Sequence, residues 1–389
     1  MLKQLKRMLA RKVGGSIKRK CEAMASKECI SQGDLRYVKS AFGLMGAIPG
    51  LSQSLARLND AIDEAMKAGF SESELADKDR MRRVREDILF CNKVYGFSPQ
   101  EYFTYELEKL SHAGRKTFVT TRNKRGYYSK LNNQNYNLYL NKKTEMYKKF
   151  SEFYGRDALP LYDETDREAF IEFVKKHPVF IYKPSDDYGG KGITIIDSEK
   201  TTGINDTFNI LTSQGAGIVE ELIEQGDALA QFHPESVNTV RAVTYLNNNN
   251  EPEIQWCFLR MGMGSSHTDN VSSGGLSAMI DPETGIICSI GRDWKGDVHM
   301  THPDTGVQLM GFKMPEWDKA MELLKKVSNV IPELRLVGWD LAYSKKGWIL
   351  IEGNSRPQCV SAQISSYNGK LYLLDNMMEE MKAEKNGKQ

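Results

Sequence analysis

The chain has 389 residues, of which 40% are hydrophobic and 27% charged, with a net charge of +2. This length can bury one large core or two moderate ones, and the composition excludes a wholly disordered chain. The six cysteines are scattered without a C-x-x-C pair, which argues against a disulfide framework or a zinc site. The sequence has neither a signal peptide nor the roughly 20 consecutive apolar residues of a membrane helix, so we expect a cytoplasmic protein.

The first twenty residues differ in charge from the rest. Residues 1–20 contain eight Lys and Arg and no acidic residue, and without them 45 basic residues face 51 acidic ones. An acidic body argues against nucleic acid as the partner. Leu2, Leu5, Met8 and Leu9 fall at helical spacing among the basic residues. Two interpretations stay open: an amphipathic helix on an anionic membrane surface, or a solvated, frayed terminus.

The periodicity of apolar residues divides the remaining chain. Apolar residues recur every three to four positions over residues 21–112, which predicts a helical region. Residues 113–140 lack sustained periodicity and are expected to form a linker or a substrate-facing segment with one short strand. Strand patterns separated by turns dominate residues 141–375, which predicts an α+β domain with antiparallel sheets. Residues 376–389 are expected to form a polar tail.

Two apolar strands near the C-terminus carry a set of oxygen ligands. A turn centred near Lys346 places Asp340 opposite Glu352, and alternation places Asn354 on the same face. Two carboxylates and an amide oxygen, without His or Cys, favour Mg²⁺. Facing carboxylates within apolar strands repel one another unless a cation lies between them. The alternative is a pair of solvated carboxylates on an exposed sheet face.

A second set follows the strand FIYKP. Lys183 ends this strand, and Gly189, Gly190 and Gly192 follow in the next loop. Glycines let backbone N–H groups approach phosphate oxygens closely, and the lysine supplies positive charge. The segment therefore fits a phosphate-binding loop, although plain turn chemistry gives the same pattern. Neither a Walker loop nor a Rossmann fingerprint is present.

Two arginines lie on strands that flank the turn NNNNEP. A loop centred between Asn249 and Asn250 places Arg241 and Arg260 on one face, whereas a one-residue shift separates them. Positive charge of this kind stabilises a developing phosphoryl charge. The alternative is two surface arginines that extend over the sheet.

The order of these motifs over residues 141 to about 360 resembles the ATP-grasp superfamily, and most closely its sugar-transfer-associated branch. The resemblance implies an α+β fold in which two subdomains with antiparallel sheets enclose ATP, here preceded by helices. It also implies ATP and Mg²⁺ as cofactors. Lys142 and Lys183 match the family's phosphate-binding lysines, with Lys143 as the alternative register for Lys142.

The segment GIVEELIEQGD resembles the family's adenine-binding hinge. The resemblance implies that Glu220 faces the adenine amino group and that the backbone of Glu221 and Leu222 pairs with the ring edge. Asp227 is the preferred ribose ligand, with Glu224 as the alternative.

The resemblance also assigns catalytic and substrate-binding roles. It implies that Arg241 and Arg260 stabilise an acyl phosphate and its adduct, and that Asn270 lies near the γ-phosphate. The segment 262–275 is expected to close over the acceptor, and Arg356 to bind a substrate carboxylate.

These assignments predict an ADP-forming carboxylate–amine ligase that acts through an acyl phosphate. The branch resemblance implies a sugar carboxylate or amino acid as substrate, an amine as its partner, and a role in surface polysaccharide biosynthesis. Two alternatives remain: a kinase that phosphorylates a sugar or other hydroxyl, and a non-catalytic ATP-binding scaffold for glycosyltransferases. The sequence leaves the acceptor and the oligomeric state open.

Overall fold

The computed structural model describes residues 2–48, 51–186, 192–265, 269, 274–293, 296–366 and 368–387. The chain divides into two compact units. The first comprises Met1–Tyr127 with Ser366–Leu374, and the second Tyr128–Ser365 with Asp375–Gln389. In the described part of the chain, no helix has both the length and the apolar character that a membrane crossing requires.

Helices occur throughout the chain. In order, they are α1 (Leu2–Ala25), α2 (Gln32–Ala47), α3 (Leu51–Gly69), α4 (Glu72–Leu75), α5 (Lys78–Val94), α6 (Pro99–Thr104), α7 (His112–Lys116), α8 (Lys124–Leu131), α9 (Leu138–Asn141), α10 (Lys143–Phe150), α11 (Arg167–Lys176), α12 (Ile204–Ser213), α13 (Asp227–Ala230), α14 (Trp317–Ser328), α15 (Val360–Ser366) and α16 (Leu371–Gly387).

The first unit is built from helices, as the periodicity over residues 21–112 predicts. Side chains three to four positions apart face inward, so that Cys21 of α1, Ile62 of α3 and Ile88 of α5 are almost completely buried. Ser98 caps α6 with a reciprocal capping box to Glu101, which satisfies backbone donors at the start of that helix.

Two segments without sustained periodicity contain helix. Residues 113–140, predicted to be a linker or a substrate-facing segment with one short strand, contain α8 and most of α7 and α9, and no named strand. The polar tail predicted for residues 376–389 is helical as far as Gly387. In this helix the Glu380 carboxylate accepts the backbone N–H of Asn248 at 2.7 Å.

The second unit contains two antiparallel sheets. The smaller has the order β1-β4-β2-β3 and the larger the order β11-β10-β5-β6-β7-β8-β9. The strands are β1 (Ala158–Leu161), β2 (Val179–Pro184), β3 (Thr194–Asp197), β4 (Gly217–Glu221), β5 (Thr239–Leu246), β6 (Pro252–Met261), β7 (Leu276–Met279), β8 (Gly291–Asp293), β9 (Val298–His299), β10 (Leu336–Ser344) and β11 (Gly347–Asn354).

Each sheet has its own hydrophobic core. Phe170 of α11 and Phe208 of α12 pack with Phe180 of β2 in the core of the smaller sheet. The core of the larger sheet includes Leu324 of α14 and Trp339 of β10. Charged residues alternate with these apolar positions on α11 and α14, so one face of each helix packs inward.

A β-bulge interrupts each of the two hairpins that carry predicted site residues. In β10–β11, Leu341 pairs with Leu350 but Asp340 pairs with Glu352, so Ile351 is the additional residue. The turn itself is centred between Lys345 and Lys346, half a residue earlier than predicted. The pairing of Asp340 with Glu352 is confirmed, but the bulge produces it.

The β5–β6 hairpin repeats this arrangement. Leu246 pairs with Pro252, whereas Thr239 pairs with Arg260, and the register shifts between Val243 and Thr244. Without this shift Arg260 would point to the other face of the sheet, away from Arg241.

Candidate active site

Charged side chains form a row across one face of the larger sheet. Asp340 of β10 is opposite Glu352 of β11 on one side and Arg241 of β5 on the other. Arg260 of β6 is opposite Thr239, two residues from Arg241, so it projects to the same face. Side chains predicted to bind metal and side chains predicted to be catalytic therefore meet on this face, namely Asp340 and Glu352 with Arg241 and Arg260.

Asp340 is the centre of the row and is 1% exposed. Arg241 donates through both Nε and a terminal nitrogen, the latter at 2.7 Å from Oδ2, and Arg260 donates to Oδ2 at 2.8 Å. Burial alone would raise the pKa of Asp340, but the charges of Arg241 and Arg260, followed by hydrogen bonds with Arg241 and Glu352, lower the pKa to about 2. The expectation that a bound metal must separate Asp340 from Glu352 was incomplete, because arginines already supply positive charge to Asp340.

Glu352 lies beside Asp340 in a different environment. Its side chain is open to solvent, although protein surrounds the position closely. Desolvation, and then the negative charge of Asp340, raise the pKa of the Glu352 carboxyl. Asn354 is half-buried, and its Oδ1 accepts the backbone N–H of Arg356 at 2.9 Å. A carbonyl oxygen has a second lone pair, so Asn354 keeps an acceptor for a ligand.

Asp269 joins the row from the loop after β6, and the sequence analysis missed it. Its Oδ2 accepts the backbone N–H of Thr239 at 3.1 Å and lies 3.3 Å from Arg260 Nε. Burial raises the pKa of the Asp269 carboxyl. Arg260 thus has two carboxylate partners, Asp269 near Nε and Asp340 at a terminal nitrogen. The only sequence signal was an acidic residue next to Asn270 in a Ser/Gly-rich loop.

A second buried carboxylate lies on the smaller sheet. Glu220 accepts from Arg156 at 2.6 and 2.9 Å and from Lys183 at 2.8 Å, all at Oε2. Burial alone would raise the pKa of Glu220, but Arg156 and then Lys183 lower it to about 2. Every described donor to this carboxylate meets Oε2, and Oε1 accepts from none of them. Arg156 also donates to the Leu350 carbonyl at 2.8 Å on the larger sheet.

The predicted phosphate-binding residues that the structure describes lie at or near the end of β2. Lys142 precedes α10 and its Nζ lies 3.5 Å from Asp186, three residues after Lys183. Lys143 donates its backbone N–H to the Ser185 carbonyl at 3.2 Å. Gly192 has a φ of 69°, a left-handed conformation that favours glycine. Gly189 and Gly190 lie outside the described residues.

The residues predicted to contact adenine and ribose lie at and after the end of β4. Glu221 donates its backbone N–H to the Asp157 carbonyl at 2.9 Å, so this N–H is already paired within the protein. Leu222 directly follows the strand. Asp227 is exposed at the start of α13, whereas Glu224 lies 3.6 Å from Lys345.

The remaining predicted residues lie around the loop after β6 and beyond β11. Asn270 lies outside the described residues. Arg356 is exposed and donates to Gln134 at 3.4 Å. His233 is buried, with Nδ1 3.0 Å from Ser236 Oγ and Nε2 3.0 Å from the Gly264 carbonyl. Both ring nitrogens therefore have protein partners.

A comparison of the amino-acid sequence with models of known families identifies the family. The family model described as sugar-transfer associated ATP-grasp matches residues 121–379. The chain belongs to this family. The expected fold, two antiparallel sheets with helices and a helical N-terminal region, is thereby confirmed for this ATP-grasp protein. No curated protein matches the sequence.

Solved ATP-grasp ligases resemble the chain only distantly. The ligase PsnB complexed with a minimal precursor is 11% identical with a TM-score of 0.40, and the match covers 64% of this chain and 63% of PsnB. D-alanyl-alanine synthetase A from Vibrio cholerae is 10% identical with a TM-score of 0.38, over 61% and 65% of the chains. Phosphoribosylamine–glycine ligase from Thermotoga maritima is 13% identical with a TM-score of 0.38, over 57% and 49%. The chain therefore spans less than two thirds of each protein, and the similarity carries no conclusion about substrate.

The donor set of the larger sheet fits the Mg²⁺ that the family resemblance implies. Asp340, Glu352 and Asn354 offer oxygen atoms on one face, and two adjacent carboxylates favour added positive charge. A second cluster, Asp157, His177 and Glu221, has ligand atoms within 4.8 Å of one another. Lys176 and Lys346 already bond those two carboxylates, so ion pairs account for that cluster.

Proposed function

We propose that this ATP-grasp protein is an ADP-forming carboxylate–amine ligase. The observation that carries the proposal is the row on the larger sheet: a solvent-open Glu352 beside an Asp340 that two arginines hold from the other side. An anionic ligand site next to fixed guanidinium groups suits a reaction in which a phosphoryl group is transferred.

Each part of the row has a role in this proposal. Asp340, Glu352 and Asn354 would hold Mg²⁺, which neutralises charge on the transferring phosphate. Arg241 and Arg260 orient positive charge toward the acyl phosphate and its tetrahedral adduct. Asp340 and Asp269 fix Arg260 from two sides before the substrate binds, so little reorganisation is needed during the reaction.

The smaller sheet supplies the nucleotide contacts. Lys183 lies between Glu220 and the loop that contains Gly192, and Lys142 lies beside Asp186 at the start of that loop. Lysines at this point supply charge to phosphate oxygens. Glu220 Oε1 would accept the adenine amino group, and Asp227 would bind the ribose.

The substrate part of the proposal is a sugar carboxylate or amino acid that is joined to an amine in surface polysaccharide biosynthesis. The family's sugar-transfer association supports it, as does the exposed Arg356 two residues after Asn354. A guanidinium binds a carboxylate through two parallel hydrogen bonds.

A steady-state assay tests the reaction type. The protein is incubated with ATP, Mg²⁺, a uronic-acid glycan and mixed amino acids, with matched reactions that omit the glycan or the amino acids. We expect release of ADP and free phosphate only when both are present, with a mass increase that corresponds to an amide product. Phosphate retained on the acceptor would instead identify a kinase. Nucleotide binding without turnover of any acceptor would favour a scaffold.

A further inference from the structure

The helix α1 has two parts with different surroundings. In its C-terminal part Ile17, Cys21 and Met24 are each at most 5% exposed, so this part packs within the helical unit. In the part before residue 10, every side chain that the structure describes is exposed, including Met8 at 67% and Leu9 at 54%. The helix therefore continues for more than two turns beyond its own packing.

The exposed part continues the apolar stripe of the buried part. Leu9, Val13 and Ile17 are spaced by four residues, so they lie along one side of the helix. Val13 is half-buried and Ile17 is buried, whereas Leu9 is uncovered. The described residues leave this stripe exposed at Leu9, and an exposed apolar stripe favours contact with an apolar surface.

Basic residues border the uncovered part of the stripe. The first twelve residues contain five Lys and Arg and no acidic residue. Lys6, Arg7, Arg11 and Lys12 are all exposed, and no described ion pair involves them. The pairing of Lys18 with Glu22 at 3.7 Å lies further along the helix. The uncovered part thus presents positive charge together with exposed Met and Leu.

We propose that the N-terminal part of α1 binds the surface of an anionic lipid bilayer. Apolar side chains enter the boundary between headgroups and acyl chains, while Lys and Arg contact the lipid phosphates. Nucleic acid matches the charge but offers no apolar surface to cover Met8 and Leu9 along a duplex. The proposal concerns attachment only and is independent of the reaction proposed above.

Vesicle co-sedimentation of the full chain tests this proposal. The probes are vesicles of phosphatidylcholine with and without one quarter phosphatidylglycerol. We expect binding only to the anionic vesicles, and weaker binding when salt rises from about 0.1 M to about 1 M, because the screening length falls roughly threefold. Binding that does not depend on the anionic lipid would overturn the proposal.

Matched variants distinguish binding by the N-terminal part of α1 from binding by general surface charge. Replacing Lys6 and Arg7 together by Gln should weaken binding about tenfold or more, whereas Lys325→Gln with Lys326→Gln on exposed positions of α14 should leave it unchanged. Met8→Gln with Leu9→Gln should also weaken binding, which a purely electrostatic contact would not require.

Deletion of the exposed N-terminal residues, ending before Ile17, is the decisive experiment. Removing residues 2–12 preserves the buried residues of α1, so the helical content by circular dichroism should change only by the residues removed. We expect this variant to lose vesicle binding and to retain its affinity for ATP. Equal vesicle binding by the truncated chain would overturn the proposal. Binding of the N-terminal part of α1 to duplex DNA but not to anionic vesicles would also overturn it.

Discussion

The two sheets of the ATP-grasp unit each bury a carboxylate between two cationic side chains, and the pKa of each carboxyl is lowered to about 2. Glu220 on the smaller sheet has Arg156 and Lys183, and Asp340 on the larger sheet has Arg241 and Arg260. Charge and burial are almost the same. What differs is the neighbouring residue, because only Asp340 has a second carboxylate, Glu352, directly across the strand pair.

The two ion clusters are similar in composition, but they contact different groups. Arg156 donates to the Tyr154 and Leu350 carbonyls as well as to Glu220, so the Glu220 cluster connects backbone segments. The Asp340 cluster instead ends at Glu352, whose carboxyl is open to solvent. We infer that the first cluster mainly stabilises the fold and presents a nucleotide contact, whereas the second is arranged for a metal and phosphate.

The largest expected effect is on catalysis by the larger sheet. Glu352→Gln should lower kcat about 10²- to 10³-fold, because an amide keeps the shape but loses the anionic charge. The measurement is ADP release with saturating substrates. Glu322→Gln, at an exposed position of α14, is the matched control and should keep full activity. Normal turnover by the Glu352 variant would show that the two clusters do not differ in the proposed way.

The next effect is on stability through the smaller sheet. Glu220→Gln should lower the free energy of unfolding at pH 7 by on the order of 3 kcal/mol, because Arg156 and Lys183 lose their buried counter-charge. Denaturant titration measures it. Glu172→Gln, whose pair with Lys175 is exposed, should change stability by less than about 1 kcal/mol.

The pH dependence of the same variant sharpens the test. The folded pKa of Glu220 is depressed to about 2 from an ordinary value of 4.5, so its stabilisation is complete above about pH 4.5 and is lost as pH falls toward 2. The Gln variant should lack this component of the acid sensitivity. An identical acid profile for both proteins would contradict the assignment.

A smaller effect is expected at the phosphate-binding lysines. Lys142→Gln should raise KM for ATP about tenfold, because a charge-assisted contact with phosphate is lost. Lys143→Gln is the control for register and should have a clearly smaller effect. If Lys143→Gln raises KM and Lys142→Gln does not, the alternative register is correct.

The smallest expected effect concerns the ribose contact. Asp227→Asn should raise KM for ATP by about threefold, because one hydrogen bond from the ribose to a carboxylate is weakened. Glu224→Gln should leave KM unchanged, since Glu224 already lies beside Lys345. Titration of both variants with ATP distinguishes them, and the opposite ranking would make Glu224 the ribose ligand.

Local patterns predicted much of this unit, whereas contacts between distant residues escaped prediction. Strand alternation around a predicted turn grouped Asp340 with Glu352 and Arg241 with Arg260, although a bulge in each hairpin is needed to produce these faces. The pairing of β10 with β5, which brings Asp340 to Arg241, was not predicted. Arg156 was missed because its partner Glu220 is 64 residues away, and nothing in the short segment around Arg156 indicates burial. Asp269 was missed for the same reason, since Thr239, whose N–H it accepts, is 30 residues away.

The two bulges have a consequence for comparing and redesigning this protein. Each lies between the turn of its hairpin and the site residues, so the pairing next to the turn is offset by one residue from the pairing at the site. Site positions transferred from another sequence by counting outward from the turn will therefore be assigned to the wrong face. Loop grafts in either hairpin should begin on the turn side of the bulge, where a change in turn length need not reorient the charged row.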